Sequence, residues 1–164
     1  MTGRTTDIAI IGGGLAGGLA ALALARLRPD LSVKLVEAGP AIGGNHRWSW
    51  FASDLSPEGE ALFEHVQVTR WDEGYDVAFP AFERRLPTPY RSLASEHFAA
   101  ALGEILPPGT ILTGRRVAAL DAGGAMLDGG ERIEARAVID CRGFSPTQHL
   151  AGGWQVFMGR HLRT

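Results

Sequence analysis

The sequence contains a single cysteine among 164 residues, Cys141, so no disulfide can form within the chain. It also lacks an excess of either charge: 16 Lys and Arg oppose 18 Asp and Glu, and no basic run exceeds two residues. A nucleic-acid partner, which needs a basic surface, is therefore not expected. The five histidines lack metal-ligand spacing, so we expect no metal site. Glycines and Arg26 interrupt the first apolar run, which is too short to span a membrane.

Short apolar runs alternate with helical segments, and this pattern predicts an α/β fold with a parallel sheet. Ile8–Ile11 has the pattern of a buried strand, Leu15–Leu27 that of a helix stopped near Pro29, and Ser32–Glu37 that of a second strand. Together they predict a right-handed βαβ unit.

The sequence of residues 38–92 predicts irregular and antiparallel structure. Residues 38–57 are expected to form a long loop, and their aromatic side chains argue against disorder. A helical turn is predicted at Pro57–His65. A hairpin is predicted between residues 66–71 and 75–80, which alternate in polarity. Residues 84–92 contain two prolines and are not expected inside a sheet.

The second half predicts a helix, a β-meander and a final buried strand. The helix reaches Leu106 and begins at a cap provided by Ser92 or Ser95. The final strand covers Ala137–Cys141 and ends at Gly143. Between them lie the strand candidates Thr110–Thr113, Val117–Leu120, Ala125–Leu127 and Arg132–Glu134.

The pattern G-x-G-x-x-G follows the first strand, at Gly12, Gly14 and Gly17. It lies between a predicted strand and a predicted helix, which is the context of a dinucleotide-binding site. The first glycine permits a tight turn, the second lets a pyrophosphate approach the backbone, and the third brings helix and strand together. Leu15 and Ala16 begin the helix, whose free N–H groups favour a phosphate. The alternative is a glycine-rich turn on an unrelated α/β protein.

Glu37 ends the second strand, at the place where an acid accepts hydrogen bonds from ribose hydroxyls. A carboxylate there disfavours a 2′-phosphate, so NADP is not expected at this site. Ala38 follows directly. The βαβ unit alone does not distinguish FAD from NAD.

The loop after Glu37 carries a second glycine pair, Gly43–Gly44, followed by His46. In this respect the sequence resembles the FAD-binding fold of glutathione-reductase-like flavoproteins, in which such a glycine pair lies near the dinucleotide. The predicted meander and the last strand resemble that fold as well. The resemblance implies that Asp140 and Gly143 also approach the cofactor. The predicted cofactor-binding residues are therefore Gly12, Gly14, Leu15, Ala16, Gly17, Glu37, Ala38, Gly43, Gly44, His46, Asp140 and Gly143.

Longer motifs narrow the resemblance. GGNHRWS at 43–49, AVIDCRG at 137–143 and GGWQVFMGR at 152–160 make the chain similar to bacterial lycopene β-cyclases. The resemblance implies bound FAD in its reduced form, with NAD(P)H as the electron source. It also implies isomerisation of linear lycopene to β-carotene without net redox change. In that reaction an acid protonates a terminal double bond, the neighbouring double bond attacks the resulting carbocation to close the ring, and loss of a proton gives the β-ring.

Members of that family are considerably longer, and their acidic motif would lie beyond Thr164. We therefore expect an FAD-binding domain over residues 1–150, in which 60–92 is an insertion on the substrate side. Residues 151–164 would start a truncated substrate domain, and the missing C-terminal half would carry the catalytic acid. Because lycopene dissolves in lipid, we expect a cytoplasmic protein in peripheral contact with the inner face of the membrane.

Two alternatives stay open. One is a redox flavoprotein on the same fold, such as a monooxygenase or a prenyl reductase, and the other is a dinucleotide-binding remnant without activity. Trp48 and Trp50 are interpreted as lining a polyene channel, as stacking near the isoalloxazine, or as core anchors. Arg84, Arg85 and Arg91 are interpreted either as contacts to FAD phosphates or the membrane face, or, by default, as solvated surface residues. Glu58, Glu60 and Glu64 are expected on an exposed polar stretch and are not assigned as the catalytic acid.

Overall fold

The computed structural model describes residues 5–143, so the predicted start of a further domain at 151–164 and the GGWQVFMGR motif lie outside the described residues. In chain order the elements are β1 (Thr6–Ile11), α1 (Leu15–Leu27), β2 (Val33–Val36), β3 (Arg47–Phe51), α2 (Pro57–Ala61), β4 (Thr69–Trp71), β5 (Tyr75–Phe79), β6 (Phe82–Leu86), β7 (Tyr90–Ala94), α3 (Ser95–Ile105), β8 (Ile111–Leu112), β9 (Val117–Asp121), β10 (Gly124–Leu127) and β11 (Arg132–Asp140).

The larger sheet has six strands in the order β8-β2-β1-β11-β10-β9. β1 lies between two parallel neighbours, with Ile10 opposite Leu35 on one side and Ile139 on the other. The carboxyl ends of β1, β2 and β11 therefore meet at one edge of the sheet. The predicted βαβ unit and the predicted meander of β9, β10 and β11 are both confirmed.

The last strand differs from its prediction. Arg132–Glu134 and Ala137–Cys141 were expected as two strands, but β11 is continuous. Its first part pairs antiparallel with β10, and from Ala135 onward it pairs parallel with β1. One strand thus joins the meander to the parallel sheet, because its two halves find partners on different sides.

A second sheet, in the order β3-β7-β4, contradicts three predictions. The loop predicted at 38–57 contains β3, which finds its partner in the distant strand β7. The hairpin predicted between 66–71 and 75–80 is wrong: β4 pairs with β7, and β5 pairs with β6. Residues 84–92 do enter sheets, because both prolines fall in the connection between β6 and β7.

Helices α1 and α3 cover one face of the larger sheet. Ile10 and Leu35 of the sheet and Phe98 and Leu102 of α3 are fully buried in this layer. Gly18 of α1 lies against the Phe98 ring, which a Cβ at that position would overlap. The small residues of α1 therefore allow the two helices to approach closely.

Two expectations about charged side chains are wrong. Arg91 lies on the central strand β7 and is only 6% exposed, and its charge is compensated by an ion pair with Asp72 (Nη2–Oδ1, 2.8 Å). Glu60 is half-buried beside it rather than exposed, with 3.6 Å between Glu60 Oε1 and Arg91 Nε. Arg84 and Arg85, on the β5–β6 hairpin, are exposed as predicted.

Two glycine-to-alanine changes test this helix packing. Gly103→Ala in α3 should raise the free energy of unfolding by about 1 kcal/mol, because alanine is the better helix former and its Cβ would meet nothing within 4 Å. Gly18→Ala should instead lower the free energy of unfolding, because the buried Phe98 ring cannot move aside. Urea unfolding measures both, and equal effects at the two positions would contradict the packing described.

Candidate functional site

Several glycines in and after the turn between β1 and α1 are required by the protein's own packing. Gly12 has a φ of +106°, and a Cβ there would overlap the carbonyl oxygen of Cys141 beyond β11. A Cβ at Gly17 would overlap the carbonyl oxygen of Gly12. Gly14 differs, since its φ of −72° suits any residue and a Cβ would meet no atom within 4 Å. Packing explains Gly12 and Gly17, whereas Gly14 borders open space.

The N-terminus of α1 opens onto the same space. The N–H of Gly18 donates to the carbonyl of Gly14 over 2.9 Å. The N–H groups of Leu15, Ala16 and Gly17 precede this bond and have no acceptor within the helix. The first turn holds no acidic residue, so nothing in it neutralises the positive end of the helix dipole. This arrangement suits an anion such as a diphosphate.

Glu37 lies beside the turn, immediately after β2. Its Oε2 accepts from the N–H of Gly13 at 2.7 Å, and its Oε1 accepts from the N–H of Gly39 at 2.6 Å. The carboxylate is thus fixed by the backbone on both sides. Each oxygen keeps a further lone pair, so the group can still accept hydrogen bonds from a diol.

The second glycine pair docks directly on the first turn. The N–H of Gly43 donates to the carbonyl of Gly13 at 2.8 Å. Gly43 and Gly44 have φ values of +79° and +59°, which favour glycine. His46 follows with an exposed ring that stacks on Trp48 at 5.9 Å. Both glycine segments and His46 therefore border one space.

Ser95 fastens this loop to α3 instead of capping the helix. Its hydroxyl donates to the carbonyl of Gly44 at 2.9 Å and accepts from the N–H of His46 at 3.2 Å. The helix cap is Ala94, without a side-chain hydrogen bond, so the predicted cap at Ser92 or Ser95 is wrong. The Ser95 hydroxyl thus holds the loop of the second glycine pair rather than an N–H group at the start of α3.

The residues after β11 form the third wall. The N–H of Cys141 donates to the carbonyl of Ile11 at 2.7 Å, which holds this segment against β1. Arg142 donates to both carboxylate oxygens of Asp140, at 2.9 and 2.7 Å, and these bonds hold the pKa of Asp140 below its usual range. Burial raises the pKa of the Cys141 thiol, so the thiol stays protonated at neutral pH.

Most of the predicted residues line one cavity of about 380 Å³ at the carboxyl ends of these strands. Its predicted members are Gly12, Gly14, Leu15, Ala16, Glu37, Gly43, Gly44, His46 and Gly143, and Cys141 and Arg142 join them. Three predicted residues lie outside the lining. Gly17 packs beneath the turn, Asp140 is held by Arg142, and Ala38 borders a neighbouring groove.

That groove, of about 170 Å³, continues from the cavity and shares Gly12, Glu37 and Arg142 with it. Arg115 and Arg116 form its far wall. The Arg115 N–H donates to the carbonyl of Glu37 at 2.9 Å, so the start of the meander is fixed beside the acid. Arg115 and Arg116 are not among the predicted site residues, and the signal that could have indicated them is an adjacent basic pair that two residues separate from β8.

The cavity and the groove together form an extended channel suited to binding a long anionic ligand. Its titratable side chains are an acid held by backbone N–H groups, an exposed histidine, a protonated thiol and arginines. No group of three or more metal-ligating side chains occurs in residues 5–143. Trp48 and Trp50 pack on Phe98 and Phe63, with ring centroids 5.7 and 4.9 Å apart, which favours their interpretation as core anchors.

Comparison with solved structures identifies the fold. The chain superposes on 2-methyl-3-hydroxypyridine-5-carboxylic acid oxygenase with a TM-score of 0.63 at 21% identity, covering 83% of this chain and 39% of that one. A flavin-dependent halogenase from Xanthomonas campestris gives a TM-score of 0.57 at 19% identity, covering 86% of this chain and 43% of that one. The predicted α/β FAD-binding fold of the glutathione-reductase type is thereby confirmed.

Sequence comparison is more specific. The lycopene β-cyclase of Paracoccus sp. (strain N81106 / MBIC 01143) is 43% identical over 162 residues, which are 98% of this chain and 41% of that protein. The lycopene β-cyclase of Pseudescherichia vulneris is 39% identical, over 96% of this chain and 40% of that protein. The chain thus spans about two fifths of the length of these relatives. The profile described as "Lycopene cyclase protein" matches residues 7–164, and the chain therefore belongs to the lycopene cyclase family.

Proposed function

We propose that this chain is the FAD-binding part of a lycopene β-cyclase, an isomerase that converts lycopene to β-carotene. The proposal rests on the family and on the channel at the carboxyl ends of β1, β2 and β11. Within it, residues 1–150 form the FAD-binding domain, and residues 60–92 contribute to the substrate side.

The FAD assignment rests on one observation, the open space beside Gly14. Neither its backbone conformation nor the surrounding atoms require glycine, yet it lies at the mouth of the cavity where α1 begins. A side chain there would occupy the space in front of the helix N-terminus. The natural reason for glycine at this point is a ligand group that lies against the backbone, as a diphosphate does.

The chain's own residues then have distinct tasks. The N–H groups of Leu15 and Ala16 bind the diphosphate, and Glu37 accepts hydrogen bonds from the adenosine ribose. Gly44, where a Cβ would lie beside the His46 ring, keeps the next part of the channel free of side chains. Gly43 is required instead by packing, because a Cβ there would press against Ser95 and Trp48. The cavity and the groove share three lining residues, and N–H groups, an acid and arginines border them, so the residues fit FAD.

When bound and reduced by NAD(P)H, FAD would supply negative charge near a developing carbocation in a dry pocket. None of the carboxylates described here is assigned as the acid that protonates lycopene. Glu37 is held by two backbone N–H groups, and Asp140 by Arg142. Both therefore orient their neighbours rather than deliver a proton.

A redox flavoprotein is the second candidate, because the structural neighbours include an oxygenase and a halogenase. Product analysis separates the two candidates, since cyclisation conserves the mass of lycopene whereas oxygenation or reduction changes it. The comparison also separates both from a remnant that binds flavin without turnover. The assay requires the chain joined to the rest of a family member.

The β5–β6 hairpin is the surface that we propose for peripheral membrane contact. Phe79 and Phe82 face each other at its tip and are 65% and 55% exposed. Arg84, on the same face, forms no ion pair with any residue in the described part of the chain, which suits an anionic lipid headgroup. None of the helices described is long and apolar enough to cross a membrane.

Gly14→Val should abolish FAD binding without unfolding the protein. The side chain enters space that only the ligand uses, since no protein atom lies within 4 Å of a Cβ there. Flavin fluorescence titration and far-UV circular dichroism measure the two effects. Gly129→Val is the matched control, because Gly129 also has open surroundings but lies outside the channel. Normal flavin content in Gly14→Val would refute the site.

Glu37→Gln should weaken FAD binding by roughly 1–3 kcal/mol, the scale of hydrogen bonds to a charged group. FMN lacks the adenosine, so its affinity should change much less. Isothermal titration with both flavins, together with the melting temperature without flavin, distinguishes a lost ribose contact from a loosened turn. An equal loss for FMN and FAD would contradict the assigned role of Glu37.

Phe79→Ser combined with Phe82→Ser should reduce binding to vesicles containing phosphatidylglycerol by at least about tenfold, since burying one such ring contributes roughly 1.5–3 kcal/mol. Both rings are exposed, so the fold should be unaffected. Ala78→Ser on the opposite face of the hairpin is the control. Unchanged vesicle co-sedimentation of the double variant would show that another surface binds.

A further inference from the structure

Three buried polar atoms outside the cofactor channel have no hydrogen-bond partner among the described residues. They are the indole Nε1 of Trp50, the Nε of Arg91 and the Oε2 of Glu60. Because leaving a buried polar atom unpaired is costly, such atoms are uncommon in native proteins. In residues 5–143 these are the three side-chain atoms of this kind. Trp50 is paired with Arg91 across the sheet, and Glu60 forms an ion pair with Arg91.

The strand register places two of these residues together. Trp50 of β3 and Arg91 of β7 are directly opposite each other, so their side chains leave the sheet on the same face. Trp48 and Leu93, two residues along, share that face and pack in the apolar core. The indole and the guanidinium therefore point inward, toward the layer that contains α2.

Glu60 reaches this row from α2. Its Oε1 lies 3.6 Å from Arg91 Nε and 3.8 Å from Arg70 Nη1, both beyond hydrogen-bonding distance. The Nη2 group of Arg91 instead forms an ion pair with Asp72, whose Oδ1 lies at 2.8 Å. The side chain of Arg91 is 8% exposed and that of Glu60 is 28% exposed. Helix α2 and strand β7 thus face each other through the side chains of Glu60 and Arg91, which form no direct hydrogen bond.

We propose that a water molecule binds between Trp50, Arg91 and Glu60 and joins α2 to the β3-β7-β4 sheet. Two of the unpaired atoms are donors and one is an acceptor. Water accepts two hydrogen bonds, here from the indole N–H and the guanidinium N–H, and donates one to the Glu60 carboxylate. One molecule therefore satisfies all three atoms, and buried waters typically make about three such bonds.

The charges around the site favour a neutral ligand. Arg70 and Arg91 are opposed by Glu60 and Asp72, so the cluster is already balanced. An added anion would lie against Glu60, and an added cation would lie against the guanidinium and the indole N–H. A small neutral molecule with both donor and acceptor capacity remains, and water is the smallest one.

Nuclear magnetic resonance on the 15N-labelled chain tests the site in solution. The Trp50 indole proton and the Arg91 Hε should show cross-relaxation with water of the long-residence type, in which the NOE and the ROE have opposite signs. Trp71, 45% exposed, should show only the short-residence type. The Trp50 signal should disappear in Trp50→Phe and persist in Trp48→Phe, which is the matched control on the same sheet face.

A crystal structure that orders water supplies the second measurement. It should show density within about 2.7–3.2 Å of Trp50 Nε1, Arg91 Nε and Glu60 Oε2. A direct bond from the indole to Glu60, or a protein side chain in that position, would overturn the proposal. Short-residence water at both protons would overturn it as well. Neither measurement depends on flavin or on cyclase activity, so this proposal and the proposed function can fail separately.

Discussion

The site depends on one close approach of backbone to backbone. The turn at Gly12 touches the carbonyl of Cys141 so closely that no side chain fits between them. Since β1 is also parallel to its two neighbours, this contact brings the ends of β1, β2 and β11 to one edge. The glycine turn, Glu37 and the segment after β11 face a common channel because that contact is made.

The loop that completes the channel depends on the same turn. The N–H of Gly43 donates to the carbonyl of Gly13. Ser95, the first residue of α3, donates its hydroxyl to the carbonyl of Gly44 and so connects the loop to the helix. The channel is therefore assembled from segments far apart in the chain, and hydrogen bonds to the backbone hold these segments together. A wall made of backbone changes little when surface side chains change, which suits a cofactor shared by enzymes with different substrates.

Local signals were enough to predict which residues form the first half of the cavity lining. The spacing of Gly12, Gly14 and Gly17 between a strand and a helix is read within one βαβ unit, and the position of Glu37 follows from it. The second sheet was not predictable in this way. β3 pairs with a strand encoded far downstream, and Arg91 is buried only because Trp50, Glu60 and Asp72 surround it. Pairings between distant segments leave no local periodicity in the sequence, so β3 was interpreted as loop and Arg91 as surface.

The double hold on Glu37 has a thermodynamic consequence. Its carboxylate is locked by Gly13 and Gly39 within the folded chain, so its rotamers are already restricted before any ligand arrives. Ordering a side chain on association typically costs about 0.5–1.5 kcal/mol, and here that cost falls on folding instead. The acid acts as a preformed template, and association at this end of the channel should proceed with little conformational adjustment.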